Sequence, residues 1–219
     1  MSNATPARGV WSYTSSNAGA YIIPAIGMIG ILSLIFFWRP AAASYFGLNL
    51  ILAYLMPLVL VTMAQMMIIA IGDIDLGIGP FVALAMCVTA AYVAEAPVVW
   101  LLCLVGLVGA YALMGAMISW RGLPSIMTTL GAAFVWSGLA LTLFPVPGGN
   151  VPPELSGLIR AMPPWIPLPI LIAVCAGAIW HWLMMRCAFG VAVRGFGGNP
   201  SGSVKLGWSA IKIRVAVYG

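Results

Sequence analysis

Six apolar runs set the terms for this chain. They cover residues 21–38 and about 49–71, 74–94, 98–119, 125–144 and 165–184. A helix rising ~1.5 Å per residue needs ~20 residues to cross the ~30 Å hydrocarbon core of a bilayer, and each run is near that length. Composition agrees: 63% of the residues are apolar and 6% are charged, against about a quarter charged in a soluble domain. Lipid is therefore the expected solvent for most of the surface. The expected fold class is all-α, a polytopic transmembrane helical bundle of about six spans plus the start of a seventh. The connections "EAP" (95–97) and "WRGLP" (120–124) leave no room for a soluble domain between the middle spans.

Residues 1–20 are polar, with Arg8 their only charge. They are expected to form a cytosolic N-terminus, and residues 21–219 a single transmembrane domain, incomplete at its C-terminus. The run at 21–38 is about twice the usual length of a signal peptide's apolar region and follows a barely basic segment, so it reads as a retained span. The net charge of +5 belongs at cytosolic membrane boundaries. No Lys/Arg run interleaved with aromatics accompanies it, which excludes nucleic acid as a partner. Five of the nine basic residues follow residue 184, namely Arg186, Arg194, Lys205, Lys212 and Arg214, and mark that segment as cytosolic. Counting back puts the proline-rich 145–165 loop outside, Arg121 inside, Glu95 outside and the N-terminus inside. Arg39 then falls outside, one mild violation. The last eleven residues, "SAIKIRVAVYG" (209–219), open another apolar helix too short to span, so the sequence is expected to stop inside a seventh span.

Cys87, Cys103, Cys175 and Cys187 form no CxxC pair and read as small buried hydrophobes. His181, between Trp180 and Trp182, reads as interfacial. No metal site, cofactor or catalytic constellation is expected. Small residues four apart, at Gly106/Ala110, Gly115/Ser119 and Ala173/Gly177, permit close helix contact without choosing which face packs.

The unusual stretch is "IAIGDIDLGIGPF", Ile69 to Phe81, which holds half of the chain's four acidic residues. Only fourteen residues separate Pro80 from Glu95. As a helix they reach ~21 Å, so the third span must borrow from "DIDLGIG", and Asp75 falls at or just inside the bilayer boundary. Gly72, Gly77 and Gly79 permit an irregular backbone over about 72–80, tolerated at this depth only where protein or a water-filled cavity covers it. Asp73 is expected to cap the third helix. Asp75 is expected to line a path or bond between helices, and to tolerate substitution less well than Asp73.

The residues also carry a family resemblance. "GDIDLGIG" resembles the "GGIDLSVG" signature of the membrane permeases of ribose/xylose/galactose-type ABC importers. "GLPSIMTTLGAAFVWSGLALTLF" (122–144) and "MRCAFGVAVRGFGGNP" (185–200) are similar to two further family segments in the same order. Together they span roughly residues 50–215, and three motifs in register are more specific than any one. The resemblance implies an inner-membrane permease subunit of a bacterium, not an enzyme, importing a monosaccharide-like solute by alternating access. It implies a second permease copy as a homodimer, cytosolic ABC ATPase subunits that hydrolyse ATP, and a periplasmic solute-binding protein. Thr129, in the Thr-Leu-Gly of the second motif, joins Asp73 and Asp75 as a path-lining or structural polar residue. The segment Gly198, Asn199, Pro200, Ser201, Gly202, Ser203 to Gly207 becomes the ATPase-coupling element. Asn199-Pro200 suits a helix start, whereas Gly202 is expected to weaken that helix. Here Asp73 replaces the family's second Gly, Gly77 its Ser, and Ser201-Gly202-Ser203 its Glu-Ala-Ala. "GGNPSGSVK" lacks the Lys-Ser/Thr of a phosphate loop, so ATP binding falls to the partner. Two other transport readings remain: a permease for a nucleoside or branched-chain amino acid, and a secondary transporter using Asp75. A non-transporting membrane scaffold is the third alternative.

Overall fold

Apolar runs of this length leave the backbone one economical arrangement, with every N–H bonded inside its own helix. The computed structural model describes residues 18–146, 152, 157 and 166–219. Most of the polar N-terminal stretch and most of the 145–165 loop lie outside the described residues. All regular structure among the described residues is helical. The chain divides into two compact units, Met1–Leu48 and Asn49–Gly219. In the first, α1 (Ala18–Trp38) is followed by a single 3-10 turn, Pro40–Ala43. Ser44 then starts α2 (Tyr45–Ala70), its hydroxyl accepting from the Gly47 amide at 3.1 Å.

The second unit continues with α3 (Ile78–Tyr92), α4 (Pro97–Arg121), α5 (Ser125–Leu143) and α6 (Leu168–Arg186). Three short helices follow: α7 (Ala188–Gly198), α8 (Pro200–Lys205) and α9 (Ala210–Tyr218). Helices α2, α4, α5 and α6 are long and apolar enough to cross a membrane; Ile22–Trp38 and α3 are shorter apolar helices. The third span does not begin at residue 74. Residues 71–77 are non-helical and α3 starts at Ile78, so the segment expected to lengthen the third span is open chain.

The long helices of the second unit turn few residues inward and most outward, as expected when lipid is the solvent. On α4 the inward residues are Tyr111, Met114, Gly115 and Ile118, at helical spacing, while Leu101, Leu102, Val105 and Leu113 are exposed. Gly115 shows why one of the three small-residue pairs has a packing role. A Cβ there would lie 2.9 Å from the Arg214 carbonyl and 3.0 Å from Tyr218 Cβ, so α9 crosses α4 almost backbone to backbone. Gly106 faces open space, and Gly177 makes only ordinary contact with Met63. The turn from α6 into α7 is similarly tight. A Cβ on Gly190 would overlap the Met184 carbonyl, which also accepts from Arg194. Gly197 brings α7 onto the end of α2, where a Cβ would overlap the Ala70 carbonyl.

Candidate functional site

Residues 71–77 leave α2 through a glycine turn. Gly72 has φ +83°, its amide donates to the Ile69 carbonyl at 2.9 Å, and the Asp73 amide donates to Ile68 at 3.2 Å. These are the two bonds of a Schellman C-cap. The chain then runs extended to Gly77 with a two-residue alternation. Asp73, Asp75 and Gly77 point inward, whereas Ile74 and Leu76 are exposed.

No neighbouring strand serves this extended chain, so side chains supply its hydrogen bonds. The Ile74 amide donates to Ser125 Oγ at 3.2 Å, and the Leu76 amide to Thr129 Oγ1 at 3.1 Å. Ser125 and Thr129 are four apart on α5 and so share a face. Thr129 is fully buried, and its hydroxyl proton lies within reach of the Ile74 carbonyl at 3.4 Å and the Ile126 carbonyl at 3.3 Å. From α2, Gln65 Nε2 donates to the Asp75 carbonyl at 3.1 Å. Irregular backbone is thus covered by protein on this side.

The two aspartates have different partners: Asp73 departs from its expected capping role, whereas Asp75 serves the start of α3 and also makes the expected bond between helices. Asp73 does not cap α3. Its carboxylate accepts a fork from Arg214, Nε to Oδ2 at 2.8 Å and Nη2 to Oδ1 at 3.2 Å, the one ion pair among the described residues. The Tyr218 hydroxyl, one turn further along α9, approaches Oδ2 at 3.5 Å. The Arg214 guanidinium also lies 5.4 Å from the Phe196 ring centroid and reaches Ser119 Oγ at 3.5 Å. Asp75 serves the start of α3 instead: Oδ1 accepts from the Gly77 amide at 2.6 Å, and Oδ2 accepts from the Tyr111 hydroxyl at 3.0 Å. The Tyr111 bond joins the segment to α4. Phe81 and Trp136 pack around Tyr111, at ring-centroid separations of 4.2 and 6.1 Å.

Gly77 is needed for space. A Cβ there would lie 2.9 Å from the Thr129 carbonyl and 3.2 Å from both Asp75 Oδ1 and the Tyr111 hydroxyl. Gly79 faces open space. Two buried polar atoms lack a partner among the described residues, Gln65 Oε1 and Trp136 Nε1. Asp73 and Asp75 share a side of the chain but not a cleft. No nucleophile stands beside either, and no group of metal-ligating side chains forms among the described residues.

The second candidate region, after α7, folds as its local sequence directs. Gly198 ends α7, Asn199 Oδ1 accepts from the Gly202 amide at 2.8 Å, and Pro200 is the first residue of α8. Ser201 is exposed and Ser203 is buried. Gly207, with φ +91°, closes α8 through bonds from its amide to Val204 (3.0 Å) and from Trp208 to Ser203 (3.1 Å), again the Schellman pattern. Gly202 is not simply a weak helix former. A Cβ there would lie 2.8 Å from Asn199 Nδ2 and 2.9 Å from Cγ, pushing on the capping side chain itself.

Arg214, Tyr111, Gln65 and Tyr218 were not legible as site residues. Their polar ends sit in apolar helices, and only for Arg214, a charge inside "IKIRVAVY", does the sequence offer a signal.

Residues 47–219 match the family described as "Branched-chain amino acid transport system / permease component". Among curated proteins, the chain is 27% identical over 156 residues to the D-allose transport system permease protein AlsC of Escherichia coli (strain K12), covering 68% of this chain and 47% of that protein. It is 27% identical over 170 residues to the autoinducer 2 import system permease protein LsrC of Shigella flexneri, covering 74% and 48%. Its identity to the LsrC protein of Yersinia pestis (strain Pestoides F) is 24% over 209 residues, covering 87% and 56%. The chain therefore spans about half the length of the curated relatives it matches. No solved structure matches it. With helices able to cross a membrane and a family match over most of its length, this multi-pass membrane protein belongs to the branched-chain amino acid transport system / permease component family.

Proposed function

We propose that the chain is part of the permease subunit of an ABC importer and forms a translocation path for a monosaccharide-like solute. The family match over residues 47–219 carries this reading. The named transport systems of its relatives, D-allose and autoinducer 2, direct it toward a small polyol-like solute. The chain performs no covalent chemistry in this reading. A cytosolic ATPase hydrolyses ATP, a periplasmic binding protein delivers the solute, and two permease copies enclose the path. Residues 188–207 and the 71–77 segment sit on the cytosolic side of a bacterial inner membrane, with the N-terminus also cytosolic. α8 is the ATPase contact: it is short, capped at both ends, and carries exposed Ser201, Val204 and Lys205. Asp75 and Thr129 shape the irregular segment beside the path.

The test is uptake by proteoliposomes that contain the permease, its ATPase and its binding protein, with D-allose as probe and leucine as comparison. Uptake of D-allose that needs ATP and survives a proton uncoupler is expected. Leucine uptake would move the solute class to amino acids. Uptake without the ATPase that collapses with the uncoupler would replace the reading with a secondary transporter.

A further inference from the structure

Residues 73–77 and the α8–α9 segment are more than a hundred residues apart in sequence, yet a side chain of α9, Arg214, joins them. Arg214 lines a cavity of about 440 Å³ together with Ser119, Phe196, Pro200, Ser201 and Lys205. Pro200, Ser201 and Lys205 belong to α8. The same guanidinium holds Asp73 in its fork, and Asp73 lies two residues from Asp75 along extended chain.

We propose that Arg214 is a positioning residue that links α8 to the irregular segment, so that displacement of α8 reaches Asp73 and, through the extended chain, Asp75. This rests on the reading of α8 as the ATPase contact. Three observations carry it. The linkage has little slack: α8 closes at Gly207 and α9 opens at Ser209, whose hydroxyl accepts from the Lys212 amide at 3.4 Å. The fork is directional, with two parallel bonds to one carboxylate, and Ser119 and Phe196 hold its third side. α8 faces Arg214 across an open depression rather than in packed contact, so displacement of α8 reaches the guanidinium through the short turn at Gly207.

A pair kept only for stability is replaceable. Exchanging both partners of a buried ion pair for uncharged groups of similar volume is often neutral or stabilising. The double variant Asp73→Asn/Arg214→Met therefore separates the two roles, because neither charge is left stranded. The readout is the rate at which a maleimide labels Leu76→Cys, a half-exposed position, with and without ATP and vanadate. The assembled importer is used in proteoliposomes, with Cys87, Cys103, Cys175 and Cys187 replaced by alanine. With the pair intact, ATP and vanadate should change the labelling rate. In the double variant that change should shrink by about fivefold or more, the lower range of measured coupling between sites, while the ATPase still co-purifies. An undiminished response in the double variant reduces the pair to a structural contact and overturns the inference. So does an intact pair that shows no ATP response although the ATPase co-purifies; the functional reading then survives without the link. Failure of the ATPase to associate with the intact permease at all overturns the functional reading, and the link with it.

Discussion

Asp73→Asn and Asp75→Asn are the same chemical change made two residues apart, and the structure predicts unequal results. Asparagine at 73 leaves the Arg214 charge facing a neutral amide. The Asp73 side chain is 8% exposed and that of Arg214 is 20% exposed, so water relieves only part of the loss. Removing one partner of a buried pair typically costs ~3–5 kcal/mol; partial exposure of Arg214 places this case near the lower end, about 3 kcal/mol. Asparagine at 75 strands no charge, because Asp75 is held by a backbone amide and a hydroxyl. Its amide oxygen still accepts from Gly77, and its NH2 can donate to the Tyr111 oxygen, so the loss is about 1 kcal/mol, that of one weakened hydrogen bond. For a chain of this size each kcal/mol lowers Tm by ~2–4 °C, giving roughly 6–12 °C for Asp73→Asn and a few degrees for Asp75→Asn. Retention of the monodisperse peak after heating in detergent, followed by fluorescence-detected size exclusion, measures both. Depth alone predicts the opposite order. If Asp75→Asn proves the less stable variant, or if Arg214→Met does not restore stability to Asp73→Asn, the ion pair is not what holds this region.

Gly77→Ala should destabilise by ~1–3 kcal/mol, because its Cβ meets the Thr129 carbonyl, which cannot move without α5; Gly79→Ala is the control, and equal melting of the two would remove the close-approach argument. Gly202→Ala should weaken association with the ATPase despite the better helix propensity of alanine, since its Cβ presses on Asn199. Asn199→Ala, which costs a cap about 1 kcal/mol, should behave similarly in the same co-purification assay, and stronger association of Gly202→Ala would contradict the packing argument. For topology, single cysteines at exposed Glu95 and Ser201 should be labelled by an impermeant reagent in intact cells at 95 and not at 201, and the reverse pattern would invert the orientation.

What the sequence revealed was local. The apolar runs located the spans because hydrocarbon imposes a minimum length, and Asn199-Pro200 located the start of α8 because a cap and its helix are adjacent. The depth argument also anticipated an irregular segment near 72–80, observed as non-helical chain over 71–77. What stayed hidden was partner choice. Asp73 and Arg214 are 141 residues apart, and nothing in either neighbourhood selects the other. Without that partner, capping was the only role visible for Asp73. Gly202 misled for a related reason: helix propensity treats glycine as a deficit, whereas here the missing Cβ is the space the cap occupies.

The glycines of "GDIDLGIG" show how local turns assemble a distant site. The three described glycines with positive φ, Gly72, Gly122 and Gly207, end α2, α4 and α8, and each passes the following amide back to the helix. The turn at Gly72 releases residues 73–77. The turn at Gly122 starts α5 within three residues, setting Ser125 and Thr129 beside them. The turn at Gly207 starts α9, which brings Arg214 and Tyr218 against the Asp73 carboxylate. Three reversals of one kind therefore deliver an extended chain, the hydroxyls that satisfy its backbone, and the cation that satisfies its charge. Gly77 then permits the final approach to α5. A single apolar helix through residues 69–94 would need none of these partners, so the buried polar cluster is a consequence of breaking the helix here.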